Sequence, residues 1–260
     1  MQKKIKALFL SGLEANIDLA FQLIETLQLD FDFDPFVEMA NYVILMDNGL
    51  KAEKIKAWTN KEKLYSLLTQ KKLDWSYKEL ETLPLGMAYM PSLEKLDLYF
   101  NQIKTLPKTL TKLQYLQELN LAENHLEKVM PLLFDLRRLK VLSLRNNKLT
   151  NLAARIGNLV NLETLNLAGN KLTTIPPQIE KLHRLEYLDL SGNHLKALPE
   201  SILHCQALER LHLRNNPIAR LPAQLKALPK LQLLNLIGTG VPKEQVDEWR
   251  IEIPNVKIDY

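Results

Sequence analysis

The chain of 260 residues holds one cysteine and five histidines, so the nucleophiles and metal ligands it could offer are few. Cys205 is the one thiol, and as a thiolate it could carry an acyl group in the manner of a ubiquitin-transferring effector. His125, His183, His194, His204 and His212 are scattered, and no two share metal-ligand spacing within a turn. The phosphate-cradling patterns GxGxxG and GxxxxGK[ST] are absent, as are the GxSxG nucleophile turn and the HExxH zinc pattern. The expectation is therefore a chain with no catalytic residue, no metal and no cofactor. What remains for chemistry is recognition, carried by arginine, histidine and aromatic side chains whose placement depends on the elements beneath them.

Those elements follow from one bias. Leucine supplies 56 residues, against 8 glycines. Aligned on leucine triplets, the sequence repeats every 23 residues, with copies beginning at Leu93, Leu116, Leu139, Leu162, Leu185, Leu208 and Leu231. Each copy opens with leucine at its first, fourth and sixth places, and the six full copies carry asparagine at the ninth: Asn101, Asn124, Asn147, Asn170, Asn193 and Asn216. Of the 40 leucines from Leu93 onward, 37 fall at places 1, 4, 6, 11, 14, 18 or 21. Alternation in the opening segment predicts a short strand with places 4 and 6 inward and 3, 5 and 7 outward. The asparagine amide has donors and acceptors enough to bond the backbone of its own turn and of the neighbouring one. Proline at place 15 (Pro107, Pro176, Pro199, Pro222) predicts short helical or 3₁₀ turns on the return side. Met130 and Ala153 stand there in the second and third full copies, where longer helical turns are expected.

The string Leu162-Glu-Thr-Leu-Asn-Leu-Ala-Gly-Asn170-Lys-Leu172, continued by Ile175-Pro176-Pro-Gln-Ile179, resembles the leucine-rich repeat consensus LxxLxLxxNxLxxLPxxIxxLxx, over about residues 70 to 253. It is similar to the class found in bacterial proteins, plant intracellular Ras-group proteins and Scribble-type scaffolds. The resemblance implies an α/β solenoid, with a curved parallel sheet on the concave side and short helical or 3₁₀ turns on the convex side, used for protein binding. It names no partner.

The frame divides the chain into a helical N-terminal region over 1–69, an array over 70–240 and a C-terminal cap over 241–260. The array opens with a degenerate repeat at 70–92, in which Lys78 takes the asparagine place, continues through full repeats at 93–230 and ends in a partial repeat from 231. In the first region, residues 17–27 have helical spacing, Asp34-Pro35 opens a helix over 36–46, and Thr59 with Glu62 caps a third to about 69. These residues are expected to cap the array or to form a second binding element. Pro242 opens a closing helix to about Arg250, followed by an edge strand within 253–260, an ending that resembles that of bacterial family members and implies a natural C-terminus.

Lys3, Lys4 and Lys6 ahead of a short apolar run imitate a secretion signal, but Glu14 and Asp18 interrupt it, and no run reaches the roughly 20 apolar residues of a membrane span. A single cysteine and no cysteine-rich caps favour a reducing, cytoplasmic setting. In the repeat frame, Cys205 stands at place 21, where the other full copies have leucine, which makes it a small apolar filler rather than a nucleophile.

The net charge is +4, and residues 70–240 hold 23 basic and 15 acidic side chains. Within 93–240, places 1–10 carry 7 basic and 8 acidic residues and places 11–23 carry 13 and 4. The surplus lies on the return side, which points to a solvated face more than to a nucleic-acid groove, with binding of anionic partners there as the alternative. The outward strand face is the stronger candidate for binding, because arginines and aromatics bury large area and keep a polar handle. The candidate residues are Tyr99, Phe100, Arg145, Tyr187, Asp189, Arg210, His212 and Arg214. Leu233 and Ile237 on the same face are expected to lie under the C-terminal cap. The expectation is a scaffold or interaction module, monomeric or weakly dimeric, that presents this face to a protein partner, with an effector or signalling regulator as the alternative.

Overall fold

The structure, a computed structural model, describes residues 2–9, 19–20, 22 and 68–260. Most of the expected N-terminal helices over 17–27, 36–46 and 59–69 therefore lie outside the described residues. Nine strands of three residues each form one parallel sheet in chain order: β1 (Lys72–Asp74), β2 (Lys95–Asp97), β3 (Glu118–Asn120), β4 (Val141–Ser143), β5 (Thr164–Asn166), β6 (Tyr187–Asp189), β7 (Arg210–His212), β8 (Leu233–Asn235) and β9 (Lys257–Asp259). Each residue of β1 to β7 pairs with the one 23 positions on, so Leu96, Leu119, Leu142, Leu165, Leu188 and Leu211 form one buried row. The step from β8 to β9 takes 24, Leu233 opposite Lys257, because the helix Lys243–Glu252 fills the last return.

The return side is built from 3₁₀ turns of five residues, from Leu85–Tyr89 through Ala223–Ala227. In each full repeat the N–H of place 18 donates to the carbonyl of place 15, that of place 21 to place 18, and that of the next place 1 to place 21; Leu110, Leu113 and Leu116 show the run at 3.0–3.1 Å. Three-residue steps put places 18, 21 and 1 on one side, and these are the residues that are buried.

The longer turns expected at Met130 and Ala153 do not form: Pro131–Asp135 and Ala154–Asn158 have the same five residues. Place 15 is the extended residue before the turn, and Met130 (φ −60, ψ 132) and Ala153 (φ −67, ψ 145) adopt the angles that Pro176 does (φ −67, ψ 143). Proline suits that conformation without being what limits the turn. The limit is the fixed distance between the inward leucines.

Six asparagines lock the coils together. The Nδ2 of Asn170 donates to the carbonyl oxygens of Leu144 and Leu167, both at 2.9 Å, and its Oδ1 accepts the N–H of Leu149 at 3.0 Å. The same three bonds, one coil back and within the coil, recur at Asn101, Asn124, Asn147, Asn193 and Asn216, all buried. At the end of the row Thr239 takes the place, and its hydroxyl donates to the Leu236 carbonyl at 2.7 Å.

Candidate functional site

The strand face is ruled in three outward rows. Place 3 runs Lys72, Lys95, Glu118, Val141, Thr164, Tyr187, Arg210 and Leu233; place 5 runs Asp74, Asp97, Asn120, Ser143, Asn166, Asp189, His212 and Asn235; place 7 lies beyond the strand ends. Place 5 has a duty that the repeat pattern did not reveal. The Oδ1 of Asp74, Asp97, Asn120, Asn166, Asp189 and Asn235 accepts the backbone N–H two residues on, at 2.8–3.1 Å. These side chains hold the chain as it leaves the strand. Ser143 and His212 make no such bond, so His212 occupies a row in which most members are tied down.

Around His212 the structure brings four of the expected residues together. The imidazole lies against the Tyr187 ring, centroids 5.3 Å apart and planes inclined by 42°. The Arg210 guanidinium sits over the same ring at 5.3 Å, within cation–π range. The Tyr187 hydroxyl donates to the Asp189 Oδ2 at 3.3 Å. Burial, then the Asp189 charge and this hydrogen bond, hold the phenol above its ordinary pKa, while the charges of Arg210 and Arg145 act the other way. The Arg145 charge therefore acts on the cluster from two strands away. Arg214, exposed, follows His212 on the same coil. Ile237 stays exposed, so the C-terminal segment does not cover it as expected; β9 extends the sheet beside β8 instead of folding over its face.

Tyr99 and Phe100 are not part of that cluster. They stand at the other end of the array and meet Tyr77, which sequence reasoning missed: ring centroids lie 5.2 Å apart for Tyr77 and Tyr99, 5.1 Å for Tyr77 and Phe100, and 6.0 Å for Tyr99 and Phe100. Tyr77 is 63% exposed and Phe100 54%. Its signal was present at place 8 of the degenerate repeat, in line with Phe100 in the frame, but place 8 is not among the outward places 3, 5 and 7 that strand alternation predicts. Over β1 to β5 the strand face forms an open hollow of about 930 Å³, with Asp97, Tyr99, Ser143 and Arg145 among its lining.

Cys205 is buried, with its thiol 3.4 Å from the Ile179 carbonyl, and burial pushes its pKa up to about 12. A thiol so placed is neutral and inaccessible at physiological pH. Among the described residues no group of three or more His, Cys, Asp or Glu side chains is placed to hold a metal, and no helix is long and apolar enough to cross a membrane.

The family model for the leucine rich repeat matches residues 71–126, 114–172, 137–195 and 184–240. The chain belongs to the leucine-rich repeat family. A leucine-rich repeat protein of Leptospira interrogans is 33% identical, with a TM-score of 0.73 over 77% of this chain and 50% of that one. This chain thus spans about half the length of that relative. The leucine-rich repeat ectodomain of the Arabidopsis thaliana membrane receptor kinase GASSHO1/SCHENGEN3, solved in complex with CASPARIAN STRIP INTEGRITY FACTOR 2, is 27% identical, with a TM-score of 0.56 over 68% of this chain and 25% of that one. Internalin C2 of Listeria monocytogenes shares the fold at 21% identity and a TM-score of 0.69, over 84% and 92% of the two chains. No curated protein matches the sequence. The leucine-rich repeat array is a repeat module of the protein-binding kind.

Proposed function

We propose that the chain is a non-enzymatic interaction module whose strand face receives a protein partner, with Arg210, His212 and Arg214 as anchors beside Tyr187 and Asp189. The observation that carries this reading is the contact cluster itself: a stacked His212–Tyr187–Arg210 unit on a face whose other place-5 side chains mostly serve the backbone. The asparagine rows hold that unit rigid before any partner arrives, so association freezes few rotamers. In this reading residues 70–240 are the binding array, 241–260 close it and 1–69 act as its cap. The chain acts as a monomer or weak dimer, and its one buried cysteine suits a reducing cytoplasm.

The experiment is site-specific photo-crosslinking in the native cell. A photoreactive residue at Arg214 should yield a discrete adduct, and one at Lys181 on the return side should not. Adducts confined to Lys181 would move the site to the basic return surface, the second reading, whose support is the charge surplus there.

A further inference from the structure

Place 8 of every coil lies in the left-handed region: φ is +65 at Gly169, +63 at Gly192 and +69 at Gly238, and +50 and +55 at Asn146 and Asn215. Glycine and asparagine tolerate that backbone, and bulky residues do not. The first coils nevertheless place Tyr77 (φ 56), Phe100 (φ 53) and Glu123 (φ 55) there. The cost is not recovered by burial, since the two rings are more than half exposed. Strain of this kind, kept where the fold would accept glycine, points to a surface used by something else.

The charge beside the rings says what. The Asp97 carboxylate accepts from the Tyr99 N–H and the Asn120 amide, and Glu123 accepts from the Asn146 amide. These partners are neutral, and among the described residues neither carboxylate is ion-paired; the neighbouring Lys95 is taken by Glu118. The Tyr77 phenol is held above its ordinary pKa first by its hydrogen bond with Tyr99 and further by the charges of Glu123 and Asp97, which places both carboxylates within electrostatic reach of the rings. Ring faces carry negative quadrupole potential, and the carboxylates add full charge.

We propose that Tyr77, Tyr99 and Phe100, with Asp97 and Glu123 beside them, dock an arginine-bearing segment of a protein partner. The planar guanidinium stacks on the exposed rings while its N–H groups meet the carboxylates, a pairing that a lysine ammonium matches less well. The far end of the same face, with Arg210 and Arg214, repels such a segment and fixes its orientation. This assignment rests on the strand-face reading and supplies the ligand class for one end of it.

The test is an NMR titration of the full chain with unlabelled acetyl-(Gly-Arg-Ser)₃-amide and with the lysine, norleucine and glutamate versions. Arginine should bind tightest and perturb the Tyr77, Tyr99 and Phe100 rings, followed by lysine; norleucine and glutamate should leave those rings unmoved. The Y77G/F100G double variant should weaken the arginine peptide about tenfold with an unchanged or higher melting temperature, because glycine suits the backbone there; Y77N/F100N is the second version should the first not fold. Glu123→Gln should weaken it several-fold. Norleucine binding as tightly as arginine, or a folded double variant with unchanged affinity, would overturn the assignment. Failure of the peptide with partner crosslinking at Arg214 intact would remove this ligand class alone, whereas loss of crosslinking with the peptide still bound would remove the partner reading alone.

Discussion

Replacing Asn170 with alanine should cost about 2–6 kcal/mol of stability. The side chain makes three short bonds, two donations from Nδ2 to Leu144 and Leu167 at 2.9 Å and one acceptance from the Leu149 N–H at 3.0 Å, besides a longer donation to the Ala168 carbonyl at 3.3 Å. The two carbonyls keep a second donor each, since Asn147 also donates to Leu144 and Asn193 to Leu167. Their loss is therefore limited to about 0.5–1.5 kcal/mol per bond. The Leu149 N–H is different, because Asn170 is its acceptor, and stranding a buried donor costs about 1–3 kcal/mol. The assay is urea unfolding followed by circular dichroism, with exposed Asn151→Ala from the preceding repeat as control, expected within about 0.5 kcal/mol of the parent. Asn170→Asp keeps the acceptor but turns a carboxylate toward two carbonyls, so near neutral pH it should cost at least as much as alanine. A loss below about 1 kcal/mol, or one equal to that of Asn151→Ala, would refute the bond-by-bond reasoning.

Three further outcomes follow from the same geometry. Gly169→Ala should destabilise more than Gly192→Ala in thermal denaturation, because a Cβ at 169 would fall 1.8 Å from the Asn146 Oδ1 whereas at 192 nothing lies closer than 3.5 Å; the second should show only left-handed strain of about 1 kcal/mol, and equal losses would contradict this. Cys205 should resist iodoacetamide in the folded chain at pH 8 and react once unfolded in urea; because its pKa rises from 9.0 to about 12 on folding, the unfolded chain loses the proton first and stability should fall as pH climbs above about 9, a slope shallower in Cys205→Ala, which keeps only the contribution of the raised phenols. Retention on heparin should be lost by about physiological ionic strength if the basic return side is only a solvated face; retention well above it would favour anionic partners.

Much of the scaffold was legible because one spacing writes both leucine and asparagine. The inward leucines, the strand at places 3–5 and the asparagine bonds all followed from the 23-residue period. Three features were not legible, each for a physical reason. Left-handed backbone at place 8 is announced by Gly169 and Gly192 but disguised by Tyr77, Phe100 and Glu123, which no local propensity would put there. The backbone duty of place 5 is shared among Asp, Asn and, by omission, Ser143 and His212, so no single letter marks it. Met130 and Ala153 seemed to release the turn, yet packing between inward leucines fixes its length whatever residue precedes it. For the binding face, the sequence placed Tyr187, Asp189, Arg210 and His212 on neighbouring strands, but only side-chain geometry joined them and moved Tyr99 and Phe100 to a separate cluster with Tyr77.

The central claim is that the strand face, through the cluster at its C-terminal end, takes a protein partner. Its most direct measurement is quantitative capture from the native cell by the full chain and by the triple variant R210A/H212A/R214A, with matched melting temperatures confirming that both are folded. The account predicts at least a tenfold loss of the captured partner in the triple variant, the equivalent of about 1.4 kcal/mol. Undiminished capture by a folded triple variant would contradict it.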